Sequence, residues 1–202
     1  MTRCACLVFA LVLVAGSALA NIPNPDLCVL DNAAGSDGAV VFVVPSGAGN
    51  PLTEGRLGGA TVDATLTLTV VNAMGDPIAN YPADDMWIVS TGGGLVACDV
   101  ITADGLTDVN GQAVWVQSPN AGGSSLGEMV QAFVAGDPVP DTADIAFVSA
   151  DLNGDLLVNL SDITVFTQAL AAYNAAADFN ADGVVNLSDI TLMTQGIGQV
   201  CP

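Results

Sequence analysis

Asp151-Leu-Asn-Gly-Asp-Leu-Leu-Val-Asn-Leu-Ser-Asp162 recurs 27 residues later as Asp178-Phe-Asn-Ala-Asp-Gly-Val-Val-Asn-Leu-Ser-Asp189, and both copies continue into Ile-Thr. Each copy sets oxygen side chains at positions one, three, five, nine and twelve of a twelve-residue loop. A main-chain carbonyl falls at position seven. Six to eight oxygen ligands on a flexible loop are what a hard cation such as calcium requires. The expected ligands of the first ion are Asp151, Asn153, Asp155, the carbonyl of Leu157, Asn159 and Asp162. Those of the second are Asp178, Asn180, Asp182, the carbonyl of Val184, Asn186 and Asp189. Asn159 and Asn186 are expected to act through a water. The chain therefore reads as a two-calcium protein in its last quarter.

Each loop runs into an amphipathic helix. Ile163, Phe166 and Leu170 recur as Ile190, Met193 and Ile197, an i, i+3, i+7 spacing that lays one apolar stripe on each helix and lets the two pack face to face. The twelfth loop residue is expected to begin the helix, where a carboxylate meets the positive end of the helix dipole. This segment resembles the dockerin family. The resemblance implies two bound calcium ions and docking onto a cohesin-type partner. The partner-contacting positions it implies are Leu160-Ser161 with Thr167-Gln168, and Leu187-Ser188 with Thr194-Gln195. The sixth loop position is Gly183 in the second copy but Leu156 in the first, and a left-handed backbone at a non-glycine residue costs about 1–2 kcal/mol. The second loop is therefore expected to be the tighter. Asn159 and Asn186 also head Asn-Leu-Ser sequons, but a residue lining a metal loop is poorly placed to carry a glycan.

Upstream the pattern changes from helical to extended. Val62-Asp-Ala-Thr-Leu-Thr-Leu-Thr-Val70 alternates apolar and polar residues, as a half-buried strand does. Further strands are expected at 39–45, 85–90, 95–101, 112–118, 128–135 and 143–149, with turns at Gly75-Asp76-Pro77, Asp104-Gly105, Asn110-Gly111 and Gly122-Gly123. Seven short strands point to an immunoglobulin-like (Ig-like) β-sandwich. Gly75-Asp76-Pro77-Ile78, Thr107-Asp108-Val-Asn-Gly111-Gln-Ala113 and Ala121-Gly122-Gly123 resemble the bacterial Ig-like repeats of invasin type, which implies a structural or adhesive module. Trp87 and Trp115 are expected in its core. The fold class is thus mainly β, an Ig-like sandwich over 39–149 followed by a small α module over 150–202. No proline- or threonine-rich linker separates them, so they should be rigidly apposed.

Charge narrows the chemistry. Of 202 residues, two are Lys or Arg (Arg3 and Arg56), none is His and 21 are acidic, a formal net charge of −19. Without basic side chains to neutralise phosphate, neither nucleic acid nor an anionic membrane surface is an expected partner. Histidine-dependent and lysine-dependent catalysis is excluded outright. Paired carboxylates remain, but Asp84 and Asp85 are adjacent and would point to opposite faces of a strand. No enzyme is expected. Residues 1–20 read as a secretory leader with Ala18-Leu-Ala20 at its cleavage site, which implies a secreted, extracellular or cell-surface protein with no membrane-inserted segment.

Residues 21–38 read as an N-terminal extension leading into Ala39-Val-Val-Phe-Val-Val44. A strand apolar on both faces is either central in its own sheet or donated to a neighbouring subunit. Cys28, Cys98 and Cys201 remain beyond the leader, and three thiols leave one free or bridging subunits. Two functions follow. The first is a calcium-stabilised subunit of an extracellular filament, a homo-oligomer completed by donor-strand exchange. The second is a module that docks an Ig-like domain onto a cohesin scaffold or cell surface.

Overall fold

Both faces of Ala39–Val43 are covered within the chain itself. The computed structural model describes residues 21–36 and 38–202; the leader over 1–20 lies outside the described residues. In chain order the strands are β1 (Val29–Asn32), β2 (Ala39–Val43), β3 (Gly55–Leu57), β4 (Ala60–Val62), β5 (Leu66–Thr69), β6 (Met86–Ser90), β7 (Leu95–Ala97), β8 (Ile101–Thr102), β9 (Gln112–Trp115), β10 (Ala121–Gly123), β11 (Val130–Val134), β12 (Asp137–Ala143) and β13 (Ile145–Ser149). Two helices follow, α1 (Leu160–Ala171) and α2 (Leu187–Gly196). The strands pair as β1-β5-β9, β12-β11-β6-β8, β13-β2-β3-β4 and β10-β7. Between named strands the pairing is antiparallel except for β2 with β13, which run parallel over their full lengths.

One core joins these sheets into an Ig-like sandwich. Leu30, Leu66, Leu68 and Trp115 from one side meet Met86, Ile88, Val130, Ala132 and Val134 from the other, and Val41, Val43, Ile145 and Phe147 close the same core. The opposite faces of β2 and β13 do different work. Phe42, Val44, Val148 and Ala150 enter a second core with Val158, Phe166, Ala169, Ala177, Phe179 and Met193 of the helical module. Phe179 bridges the halves, with ring centroids 5.2 Å from Phe42 and 5.7 Å from Phe166. Burying one such side chain is worth about 1.5–3 kcal/mol, so a sheet shared between two cores binds the modules strongly. A disulfide between Cys98 and Cys201, with Cα atoms 5.6 Å apart, adds a covalent tie.

Several expectations change here. Residues 21–38 are not a free extension: β1 pairs with β5, and the Asn24 amide donates to the Val71 carbonyl at 2.8 Å. The 39–44 strand is central in its own chain, and the donated-strand alternative loses its segment. Among the described residues Cys28 is the free cysteine, but it is 2% exposed, which removes it as a bridge between subunits. The alternating run 62–71 breaks into β4 and β5 because the Asp63 carboxylate accepts the Thr65 N–H at 2.9 Å and its hydroxyl at 2.6 Å, making a turn. β12 was illegible because Pro138 and Pro140 argue against a strand; it lies at a sheet edge, paired only with β11, where proline is tolerated. Trp115 is in the core, its indole N–H donating to the Ile101 carbonyl at 3.2 Å. Trp87 is not: it is half-buried on the outer face of its sheet, stacked on Phe133. Among the described residues no helix is long and apolar enough to cross a membrane.

Candidate metal centre

The repeated sequences fold into repeated hydrogen-bond scaffolds. Asp151 accepts the amides of Gly154 (2.9 Å), Asp155 (3.2 Å) and Leu156 (2.7 Å); Asp178 accepts those of Asp182 (3.1 Å) and Gly183 (2.8 Å). Asn153 and Asn180 each hand their amide to the carboxylate two residues on, Asp155 at 3.0 Å and Asp182 at 2.9 Å. Asp162 and Asp189 reach back across their loops to the amides of Asn153 (3.2 Å) and Phe179 (2.8 Å). The chain thus curls around each first and twelfth residue, and Asp151, Asp162, Asp178 and Asp189 are all buried, at 0–4% exposure.

The helix starts differ from expectation in register. α1 begins at Leu160, so Asp162 stands at its third position and closes a capping box: Asn159 accepts the Ser161 amide at 2.7 Å while Asp162 accepts the Asn159 amide at 2.9 Å. Asn186 and Asp189 repeat this at α2. Asn159 and Asn186 also donate to the carbonyls of Leu157 (3.2 Å) and Val184 (3.3 Å), the main-chain oxygens expected to face the ion. Their side chains are therefore helix caps that brace those two carbonyls. The apolar stripes shift as well. Ile163 and Phe166 continue into Ala169, and Ile190 and Met193 into Gly196, while Leu170 and Ile197 are 45% and 47% exposed.

Buried carboxylates without a counter-charge are costly, and burial raises the carboxyls of Asp151 and Asp189 above the usual range. Neighbouring charge adds to this, from Asp162 and Asp155 on Asp151 and from Asp178 on Asp189. Among the described residues no three Asp, Glu, Cys or His side chains already converge on one point. The donor set of each loop is instead mixed, carboxylate with amide and main-chain oxygen, which suits calcium and not zinc or a soft metal. The residues present fit a hard divalent cation, which would supply the missing charge.

Three features escaped the sequence reading. Ala181 sits in the left-handed region at φ +51°, as Leu156 does at φ +65°, so each loop carries one strained non-glycine position. Gly183 alone therefore does not make the second loop the tighter. Gly122 and Gly123, expected only as a turn, form β10 against the first loop: the Gly123 amide donates to the Asp151 carbonyl at 2.8 Å, and a Cβ on Gly122 would fall 1.9 Å from an Asp151 carboxylate oxygen. Tyr173 donates its hydroxyl to Asp178 at 3.0 Å, and nothing in the repeat pattern announces it.

No curated protein matches the chain. A solved structure, described as the crystal structure of the Lin-41 filamin domain, is similar over 61% of this chain and 95% of that one, at 17% identity and a TM-score of 0.30. Residues 149–198, which carry both loops and both helices, match the Dockerin type I domain.

Proposed function

We propose that this is a secreted, non-catalytic docking protein, whose dockerin-type module holds two calcium ions and attaches the β-sandwich to a cohesin-type partner outside the cell. One observation carries the reading. Leu160 and Leu187, the first residues of α1 and α2, are 77% and 74% exposed, and each heads the same solvent-facing strip. The strips are Ser161, Thr164, Thr167 and Gln168 on one helix and Ser188, Thr191, Thr194 and Gln195 on the other. Their hydroxyls even repeat the same bonds: Thr164 to the Leu160 carbonyl (2.9 Å), Thr191 to the Leu187 carbonyl (3.1 Å). The fold itself makes no use of two matched, exposed leucines, whereas a docking face does. Metal and face are coupled because Asp162 and Asp189 are at once loop ligands and members of the helix caps.

A filament built by donor-strand exchange rested on a free N-terminal arm and an odd cysteine. The arm is engaged in the chain's own sheet and Cys28 is buried, so neither favours it. The test is calorimetry of the full chain against a panel of purified cohesins. Binding in millimolar calcium that disappears in chelator and in a Leu160→Ala/Leu187→Ala variant is expected. Binding to none of the panel in calcium would contradict the reading.

A further inference from the structure

The sandwich carries a groove of about 460 Å³ that the docking face does not use. It lies beside β6, which pairs with β11 along its whole length but with β8 only through Trp87 and Ile88. β7 on the far wall pairs only with β10. Two strand edges with main-chain groups to offer therefore border the groove. Its wall sets Trp87 against the aliphatic side chains of Leu95, Val100 and Ile101, with the exposed carboxylates of Asp84 and Asp99 beside them. Phe133 stacks on Trp87 with ring centroids 5.4 Å apart and planes 4° from parallel, and Phe133 is not part of the wall. The groove thus faces the other side of the indole.

These surfaces select a ligand. Aliphatic walls disfavour a sugar, whose hydroxyls would lose water without gaining partners. An open aromatic face next to two carboxylates favours a cation. Neither Asp84 nor Asp99 has a hydrogen-bond or ion-pair partner among the described residues, and Arg56 is engaged with Thr61 on another sheet. We propose that this groove takes an arginine side chain presented by an extended segment of a partner protein. The planar guanidinium continues the Phe133–Trp87 stack and meets the two carboxylates. Its methylene stem lies along Leu95, Val100 and Ile101, and the segment's backbone runs beside the open edge of β6 beyond Ile88. The Cys98–Cys201 disulfide fixes the 95–101 wall in advance of binding. The site uses sandwich residues only and stands apart from cohesin docking.

The test follows the indole N–H signals of the full chain in calcium by NMR while acetyl-Val-Arg-Val-amide is added. A saturable shift of Trp87, with the core residue Trp115 unmoved, is expected. The same peptide with citrulline in place of arginine should bind at least about tenfold more weakly, as should the arginine peptide to an Asp84→Asn/Asp99→Asn variant. Equal binding of the citrulline peptide would overturn the proposal. So would a Trp87 response to cellohexaose but not to the arginine peptide, or no saturable response to either.

Discussion

The two metal loops are nearly the same sequence in different surroundings. Their internal scaffolds share most bonds around the first, third, fifth and twelfth residues, the first loop adding the Gly154 amide on Asp151 and the second the Phe179 amide on Asp189, so that part is set locally. Their neighbours differ. The first loop is clamped: β10 bonds the Asp151 carbonyl, the Val158 amide donates to Gln199 at 3.0 Å, and Leu157 bridges to Val200 just before the Cys201 disulfide. The second loop has no strand bonded to it: it meets the sandwich through side chains, Phe179 on Phe42 with ring centroids 5.2 Å apart and Asp182 at Gly59, where an added Cβ would lie 3.1 Å from the Asp182 Cβ, and it leans on Tyr173 of its own module. A duplicated motif has thus been divided into one loop tied to the sandwich by main-chain bonds and one joined to it by apolar packing. The first meets the sandwich through main-chain bonds to β10, the second through the ring of Phe179 on β2.

That contrast gives an ordered set of expectations. Removing calcium should have the largest effect, since a ligand at a hundred times its dissociation constant contributes about 2.7 kcal/mol per site. Melting of the C-terminal module should fall sharply in chelator, and an unchanged melt would break the comparison at its root. Next, Cys201→Ser releases a disulfide spanning 103 residues, worth about 2–4 kcal/mol, and should loosen the first loop selectively. Hydrogen exchange that quickens equally in both loops would count against the clamp. Gly122→Ala should cost about 1–3 kcal/mol by driving a methyl into Asp151, weakening the first site while sparing the second. Calcium titrations of that variant read the two sites separately, and matched losses would refute the assignment.

Smaller effects test the local half of the comparison. Leu156→Gly and Ala181→Gly each relieve one left-handed non-glycine residue, worth about 1 kcal/mol, and should tighten the first and second sites respectively. The pH dependence has a definite sign. Burial first, and neighbouring acids after it, raise Asp151 and Asp189 above their unfolded values, so without metal their contribution to stability is fully present at acid pH and lost as pH rises through the raised values. Melting of the module in chelator should therefore fall from acid to neutral pH, and in calcium it should rise, because protons and metal compete for the same oxygens. Parallel pH profiles in the two conditions would contradict that competition.

Legibility in the sequence followed range. The oxygen spacing of both loops, the helices after them and the Ig-like sandwich ahead of them rest on short-range periodicity, which the chain displays openly. The partition of Ala39–Val43 between two cores was half legible: the strand's two apolar faces were plain, but whether a second subunit or a second module covers the outer face is a tertiary fact. Asn159 and Asn186 turn to capping because an asparagine before a helix has free amides closer at hand than any ion. The roles of Gly122 and Tyr173 depend on which segments the fold brings together, and no local pattern encodes that.

The central claim is that residues 149–198 bind two calcium ions and that only the first is coupled to β10. A calcium titration of the full chain followed by amide NMR tests it most directly. Two ions should bind per chain, with the Gly122 and Gly123 amides shifting in step with the first loop and unmoved by the second. Fewer than two ions, or β10 amides that stay still throughout, would contradict it.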